Sequence, residues 1–530
     1  MRNSRIVAIA SCILALALGS TSCKKDKDGH TSGELMTIGA TIVQANGDGT
    51  KTFLAPNGGK ADVRWSEGDK IMLFGAGDSK GKEFTLKEGA GKTSAKFEGE
   101  VPSPFPPYYA AYPEPASFNG ESTFTFTIPA TIAGEAASSA SSDNYSFIQK
   151  STIPMVGVSA HGEDLQFYNA MSSIFLALKG IAKISKIVIT DISGHKLNGT
   201  LTVKLNEDGT ISSTMGSNGT NTLTISLGNG IMLDARKFTM LCFPVPTGAF
   251  NGTDKLKIEI YDFEHNLDNS EHLSMTITKS LTGGVAQNTT YAVVEKEVLP
   301  LVLPGVFSMS SKVSVRFTRG NLWYDGTDCH FEENQWTYPT SWNTAHVGHF
   351  YNHNDITTAA KSYAPSYSTY YQSYIFPNSG KNTANSNFTV EGLTGKCRVI
   401  SDGEYQYLRD RSSDSKYGYG KVNEVDGLIF LPDSWNNPLS HTFASGSSTS
   451  YTSNKYNLDD WVIMESAGAV FFPLAGYRSS TTMNAGKSYY NSSYVSQGGK
   501  FSPLGFEQRN EPQTLDGNKA NSIRLAVTVN

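Results

Sequence analysis

The chain has 530 residues, which at roughly 150 residues per domain make about two to four domains, each long enough to bury its own core. Charged residues are only 18% of the sequence, aromatic residues are 11%, and there are 50 glycines and 21 prolines. This composition favours a β-rich, loop-rich surface protein over a helical cytosolic enzyme. The net charge is −5, without a long basic stripe, so we expect no nucleic-acid partner.

The N-terminus has the pattern of an export signal. Two arginines precede an apolar run at residues 6–18, which is too short to span a bilayer but has the length of a signal-peptide core. The small residues before Cys23 resemble a bacterial lipobox, and the charged residues after it resemble the export signals of Bacteroidetes surface lipoproteins. We therefore expect a signal peptide at 1–22, a lipidated Cys23 and a tether at 23–34. The alternative is cleavage without lipidation.

Short alternating runs, separated by Gly, Asn and Asp, predict β-strands over the next half of the chain. One such run is Thr37–Val43, and helical periodicity is almost absent. A stretch with two prolines then predicts an extended linker at 298–306, after which Tyr, Trp, Asn and Ser become frequent. We therefore expect a β-sandwich region at 35–297 and a separate domain at 307–530.

Three short motifs occur in order along the chain: ADVRWSEGDKI at Ala61–Ile71, the strand pair from Ile187 to Val203 around DISGHKLNG, and CFPVP at Cys242–Pro246. Together they resemble the fimbrillin-like proteins of Bacteroidetes. Proteins of that family are built from two transthyretin-like β-sandwich lobes. The resemblance therefore implies two such lobes within the β-sandwich region.

The last region contains four further motifs, CRVISDGEYQYL at Cys397–Leu408, DGLIFLPDSW at Asp426–Trp435, AGAVFFPLAGYR at Ala467–Arg478 and SIRLAV at Ser522–Val527. They resemble a different fold, the C-type-lectin-like fold shared by sulfatase-modifying-factor domains and Fibrobacter-type paralogous surface domains. The fold class expected for the whole chain is therefore mainly β, with two sandwich lobes followed by a loop-rich α+β C-type-lectin-like domain.

Two chemistries known for the lectin-like fold are not implied for this chain. The calcium-binding motifs occur in inverted order, because Trp435 precedes Glu511, and the acidic residue of the second motif is missing. The reactive cysteine pair of sulfatase-modifying enzymes has no counterpart, because Cys329 and Cys397 lie in no matching motif. Whether these two cysteines pair with each other is left open.

Other catalytic patterns are incomplete. Gly91-Lys92-Thr93 is not a phosphate-binding loop, because Leu86 stands where the first glycine is needed, and a hairpin tip is the better interpretation. The Gly-x-Ser-x-Gly spacing of Gly77–Gly81 is not expected to form a strand-to-helix elbow that exposes a nucleophilic serine, because helical periodicity is almost absent. We therefore expect neither an enzyme nor a cofactor.

Three closely spaced histidines are the strongest metal signal in the sequence. His346, His349 and His353 would share one face of a helix, with His330 as a fourth candidate ligand and Asp355 nearby. The intervening glycine and aromatic residues do not have the pattern of a helix, so we expect no metal site.

A tyrosine- and tryptophan-rich stretch follows the linker, and its aromatic residues alternate with Ser, Asn and Thr. Rings in such surroundings are typical of recognition surfaces. Trp323 and Trp336 are better explained as core residues. The candidate ligand contacts are Trp342, Tyr351, Tyr370, Tyr371 and Tyr374.

The fimbrillin-like resemblance implies assembly by strand exchange, in which a trypsin-like protease removes the first strand and a partner's strand fills the groove. The first strand is about Met36 to Gln44, and the candidate cleavage sites after it are Lys51, Lys60 and Arg64. The alternating run Ile523–Val529 is expected to pair within its own domain, which favours a tip or accessory subunit.

The function implied is that of a lipid-anchored outer-membrane adhesin of a pilus. Its expected partners are other fimbrillin-like subunits, a host or microbial surface glycan or protein, and the membrane through the lipid anchor alone. One alternative is a non-polymerising glycan-binding lipoprotein of a polysaccharide-uptake system. An enzyme of the sulfatase-modifying type is the remaining alternative.

Overall fold

The computed structural model describes the chain in segments. The described residues are 34–43, 53–57, 60–102, 106–135, 147–148, 153–162, 164–206, 210–247, 250–281, 285, 290–292, 295–324, 329–338, 361–362, 372–373, 392–393, 396–400, 404–405, 407–408, 416–446, 449–475, 477–479, 482–484, 489–490, 500–501, 504–505, 515–516, 520–522 and 524–529.

The strands up to residue 298 are, in chain order, β1 (Leu35–Ile42), β2 (Phe53–Asn57), β3 (Lys60–Arg64), β4 (Lys70–Gly75), β5 (Lys82–Glu88), β6 (Ser94–Glu100), β7 (Tyr108–Tyr112), β8 (Ser117–Phe118), β9 (Thr123–Ile128), β10 (Thr131–Glu135), β11 (Phe147–Ile148), β12 (Met155–Ser159), β13 (Leu165–Asn169), β14 (Met171–Gly180), β15 (Lys183–Asp191), β16 (Gly199–Leu205), β17 (Ile211–Met215), β18 (Thr222–Met232), β19 (Thr239–Pro246), β20 (Lys255–Phe263), β21 (Glu271–Ser280), β22 (Thr290–Ala292) and β23 (Lys296–Val298).

The elements that follow are β24 (Phe307–Ser308), β25 (Ser314–Phe317), β26 (Leu322–Tyr324), β27 (Cys329–Phe331), β28 (Lys361–Ser362), β29 (Gln372–Ser373), β30 (Cys397–Val399), β31 (Tyr417–Val422), β32 (Val425–Phe430), β33 (Lys455–Tyr456), α1 (Leu458–Ser466), β34 (Val470–Pro473), β35 (Tyr477–Ser479), β36 (Thr482–Asn484), β37 (Tyr489–Tyr490), β38 (Lys500–Phe501), β39 (Leu504–Gly505), β40 (Leu515–Asp516), β41 (Ala520–Asn521) and β42 (Leu525–Val529). The prediction of a mainly β chain is confirmed.

Seven strands of the first lobe close into a barrel in the order β1-β13-β12-β7-β4-β5-β6, and β6 pairs back to β1. Side chains alternate between the two faces of a strand, and β1 accordingly buries Ile38, Ala40 and Ile42 in the barrel core. The sequence predicts a sandwich for this lobe. Its main sheet closes instead, because β1 pairs in parallel with β13 on the side away from β6.

A four-stranded sheet, β17-β16-β9-β8, packs against the outside of this barrel through aromatic rings. The ring centroid of Phe74 on β4 lies 4.7 Å from that of Phe118 and 5.9 Å from that of Phe124. Phe118 and Phe124 in turn stack at 4.5 Å. Edge-to-face and offset ring pairs of this kind add stability beyond the area they bury.

The second lobe is a sandwich of a six-stranded sheet, β11-β10-β18-β15-β20-β21, and a smaller sheet, β19-β14-β22, whose β14 also pairs with β23. The two lobes exchange chain segments. β10 runs parallel to β18 in the second lobe, whereas β16, which follows β15, pairs with β9 of the first lobe. The lobes are therefore interlocked and are not consecutive pieces of sequence.

The last region has two four-stranded sheets, β24-β25-β42-β30 and β33-β31-β32-β34, with one apolar core between them. The fully buried Arg524 joins the sheets through hydrogen bonds. Its Nη1 donates to the carbonyl of Thr318 at 3.1 Å, and its Nη2 donates to the carbonyl of Phe471 at 3.0 Å. The guanidinium also lies 5.2 Å from the ring centroid of Phe472, a cation–π contact.

Helix α1 begins and ends at ordinary helix signals. Asn457 caps its N-terminus, because its side chain accepts a hydrogen bond from the N–H of Asp460 at 2.8 Å. The chain leaves the helix at Gly468, whose φ of 95° suits glycine. The buried residues of the helix, which attach it to the second sheet, are Trp461, Val462, Met464 and Glu465.

The segment predicted as a linker packs against the second lobe through a buried carboxyl group. Glu264, which follows β20, accepts hydrogen bonds from the N–H of Leu301 at 2.7 Å and of Val302 at 3.3 Å. Nη1 of the buried Arg319 donates to the carbonyl of Ser274 at 2.7 Å. Burial, with a smaller effect from Asp262, raises the pKa of Glu264 to about 8.

This shift predicts how stability depends on pH. Because the pKa of Glu264 is near 4.5 when unfolded and about 8 when folded, the folded chain holds the extra proton between these values, and the free energy of unfolding falls as pH rises from about 4.5 to 8. Glu264→Gln keeps the shape without the titration. In urea denaturation over this pH range, the free energy of unfolding of Glu264→Gln should fall by at least about 1.4 kcal/mol less than that of the wild type, the equivalent of one pKa unit. The exposed Glu114→Gln is the control, and parallel curves for wild type and Glu264→Gln would contradict this assignment.

Candidate functional site: the first strand and its groove

The first strand is held unequally on its two sides. Its antiparallel pairing with β6 runs from Leu35 to Thr41, whereas its parallel pairing with β13 covers Ala40, Thr41 and Ile42. In the described residues, the N-terminal part of β1 is thus paired on one side, and the barrel closes over three residues. A strand fixed in this way is a candidate for replacement.

Trp65 lies beneath the point of closure. Its indole Nε1 donates a hydrogen bond to the carbonyl of Ala40 at 3.2 Å, and the ring is fully buried. Three rings meet it edge to face, Phe97 at 4.9 Å, Phe167 at 5.3 Å and Tyr112 at 5.9 Å between centroids. The indole therefore has one fixed position in the barrel core.

The turn that follows Trp65 explains why the local sequence holds the ring there. Asp69 accepts hydrogen bonds from the N–H of Ser66 at 2.6 Å and from the hydroxyl of Tyr112 at 3.2 Å. Gly68 has a φ of 80°, which other residues rarely adopt. This turn is the WSEGD part of the first motif, so the sequence signal for the site was present in that motif.

The backbone of Trp65 is bonded to the turn between β5 and β6. Its N–H donates to the carbonyl of Lys92 at 2.9 Å, and its carbonyl accepts from the N–H of Gly91 at 2.8 Å. Gly91 and Lys92 therefore lie at the tip of the β5–β6 hairpin, as predicted. Their hydrogen bonds hold the backbone of Trp65 in place beneath β1.

A surface depression of about 490 Å³ lies over the outer face of β1. Asp164 covers Gly39 there, because a Cβ on Gly39 would lie 2.1 Å from the carboxylate Oδ1. Lys92, Lys96 and Glu88 line the other side. The depression has mixed charge, and its side chains form no cluster of a catalytic kind.

The outer face of β4, β5 and β6 is covered by cross-strand ion pairs. Lys70 pairs with Glu83 at 2.8 Å, and Lys82 pairs with Glu100 at 2.7 Å. Lys82 lowers the pKa of Glu100. Exposed pairs of this kind contribute little stability.

Two of the three candidate cleavage sites are the first and last residues of β3. Lys51 lies outside the described residues, Lys60 begins β3, and Arg64 ends it. The bond after Arg64 leads directly into the buried Trp65, whose N–H is already bonded to Lys92. Lys60 adjoins the connection between the paired strands β2 and β3, and hairpin connections are the sites that proteases reach most easily.

We therefore expect limited trypsin digestion of the folded protein to cut after Lys60 before it cuts after Arg64. N-terminal sequencing of the early fragments measures the order. Lys60→Gln should remove the early product that begins at Ala61, and the matched Arg64→Gln should leave it unchanged. Early fragments that begin at Trp65 would contradict the expectation.

Most of the remaining candidate residues fall outside the part of the chain that the structure describes. Cys23 and the three histidines lie outside the described residues, as do all of the candidate ligand contacts, Trp342, Tyr351, Tyr370, Tyr371 and Tyr374. His330 on β27 is described and packs with Trp323 at 4.9 Å between ring centroids. In the part of the chain that the structure describes, no group of three or more His, Cys, Asp or Glu side chains could hold a metal ion.

Cys329 and Cys397 are both buried thiols and form no disulfide with each other. Burial raises the pKa of Cys397 to about 12, and its Sγ lies 3.4 Å from the carbonyl of Leu393. A thiol with such a pKa is a poor nucleophile. Within the described segments, no helix is both long and apolar enough to cross a membrane.

Comparison with known proteins gives structural matches alone. No protein-family model matches the chain, and the search of curated proteins finds no match. Among the solved structures, a proposed cell adhesion protein from Bacteroides uniformis is 11% identical with a TM-score of 0.29, covering 44% of this chain and 88% of its own.

Two further matches are described as fimbrial proteins. A fimbrial assembly protein from Parabacteroides distasonis is 8% identical with a TM-score of 0.24, over 54% of this chain and 96% of its own. The tip fimbrial protein Mfa3 from Porphyromonas gingivalis is 9% identical with a TM-score of 0.19, over 50% and 95%. Scores of this size do not establish a shared fold, so the description of the fold rests on the strands and their registers.

Proposed function

We propose that the protein is a non-enzymatic cell-surface adhesin, a tip or accessory subunit of a fimbrillin-type pilus assembled by strand exchange. The observation that carries the proposal is the way β1 is held. It closes the barrel through Ala40–Ile42, its N-terminal part is paired with β6 alone in the described residues, and basic residues suited to a trypsin-like protease follow it. Removal of β1 would expose the edges of β6 and β13 together, which is a groove for a partner's strand.

The position of β42 supports the tip assignment. It lies between β25 and β30 and pairs antiparallel with both, so its backbone groups are used within its own sheet. A shaft subunit needs both an acceptor groove and a strand to donate, so that head-to-tail contacts repeat. β42 is not available as such a donor, and we assign the lectin-like region 307–530 to the distal end.

The proposed ligand of that region is a host or microbial surface glycan or protein. The tyrosine- and tryptophan-rich stretch would provide the contacts through Trp342, Tyr351, Tyr370, Tyr371 and Tyr374, because aromatic rings give large contact areas at low entropic cost. The subunit would be anchored in the outer membrane by acyl chains on Cys23.

The lipid anchor is tested by Cys23→Ala. An acyl chain binds the membrane through its buried methylenes, so we expect the variant to lose labelled palmitate and to move from the membrane fraction to the soluble or unprocessed fraction. Cys12→Ala is the matched control, because this cysteine lies within the predicted signal peptide. Palmitate incorporation into Cys23→Ala would contradict the assignment.

The position in the pilus is tested by immunogold labelling with antibodies against residues 307–530. A tip subunit should be labelled at filament ends, whereas antibodies against a shaft subunit should label along the length. Regular labelling of this protein along filaments would exclude the tip position. Labelling of the cell surface without filaments would instead favour the non-polymerising glycan-binding lipoprotein.

A further inference from the structure

Trp65 and Ala40 together define what the groove of β1 accepts. The indole donates to a backbone carbonyl, which every residue has, but the residue that bears this carbonyl is only 1% exposed and shares the barrel core with the ring. Phe97, Phe167 and Tyr112 hold the ring in place edge to face. A side chain larger than the methyl group of Ala40 would therefore have to displace neighbours in this packed core.

We infer that Trp65 selects the strands that can occupy the position of β1 and fixes their register. The inference rests on the proposed strand exchange and goes beyond it by naming the pattern required. An incoming strand must place alanine or glycine over Trp65 and a branched apolar residue two positions away on each side. In β1 these flanking residues are Ile38 and Ile42, which are 3% and 2% exposed.

The register follows from the two-residue period of a strand. A shift by one residue would turn an outward residue such as Thr41 into the core, and a shift by two would place Ile38 or Ile42 over the indole. On the β13 side, β1 pairs over only three residues, so this pairing fixes the register weakly. The partner is therefore an extended segment of another polypeptide with the pattern branched-x-small-x-branched, as in Ile-Gly-Ala-Thr-Ile of β1 itself.

The first test uses substitutions in the full chain. Overfilling a packed core is destabilising, so Ala40→Leu should speed hydrogen exchange of the amides in β1 at least about tenfold. Thr37→Leu, on the exposed face of the same strand, should change it less than about twofold. In a Trp65→Phe background, which removes part of the ring, the effect of Ala40→Leu should shrink to about threefold or less. Equal effects of Ala40→Leu with and without Trp65 would overturn the inference.

The second test measures strand replacement directly. Residues 44–50 are replaced by a site-specific protease sequence, and the full chain is folded and then cut there. The released N-terminal segment is removed in urea, and the protein is refolded with fluorescent peptides that have the sequence of residues 34–43. The native peptide and its Thr37→Leu variant should bind within about threefold of each other. The Ala40→Leu peptide should bind at least about tenfold more weakly, and Trp65→Phe in the protein should reduce this difference.

The outcomes separate the inference from the proposed function. If the native peptide does not bind to the cut protein, strand replacement is wrong and the inference fails with it. If the native and Ala40→Leu peptides bind equally, strand replacement stands and selection by Trp65 is wrong. The peptide-binding test also distinguishes these outcomes if the full-length Ala40→Leu chain does not fold, because in that test the peptide carries the substitution.

Discussion

The hydrogen bond from the buried indole of Trp65 to the carbonyl of Ala40 ties the first strand to the barrel core. A buried donor without an acceptor costs about 1–3 kcal/mol, and the strand edges of β6 and β13 need partners as well. One strand, β1, meets all three requirements. Without β1, the indole N–H and the backbone groups at the edges of β6 and β13 would lose these hydrogen-bond partners together. Occupation of the groove by a strand is therefore strongly favoured. The side chains that line it determine which occupant fits.

The closure of the barrel by β1 also affects the second lobe, because the two lobes are interlocked. β13, which carries one edge of the groove, is followed by Ala170 and then by β14, the central strand of the smaller sheet in the second lobe. The carbonyl of Ala170 accepts a hydrogen bond from the hydroxyl of Ser213 on β17, at 2.7 Å. Because segments of each lobe pair in the other, the two lobes cannot unfold as independent units. A strand bound in the groove therefore stabilises both lobes.

The sequence alone predicts the local features well and the long-range ones poorly. Alternating runs give the strands, and the motif around Trp65 contains the turn residues that its geometry requires. The acceptor for the indole, by contrast, lies 25 residues earlier, and the pairing of β1 with β6 and β13 brings it there. Glu264 looks like an ordinary turn residue, since its burial arises from the docking of Leu301. Side chains whose roles depend on such pairings carry no local signal, whereas caps and turns do.

The second lobe and the last region are joined by a buried segment. The segment from Val298 to Leu303 is buried, and β23 pairs in parallel with the end of β14. Gly180 at that end permits a close backbone approach, because a Cβ there would lie 2.2 Å from the carbonyl of Val298. A pulling force on the last region would therefore be transmitted to β14, the central strand of the smaller sheet, and to the hydrogen bonds of Glu264. The connection between the two regions is not an unattached linker. Such an attachment fixes the orientation of the last region relative to the lobes, as the proposed position at the end of a filament would require.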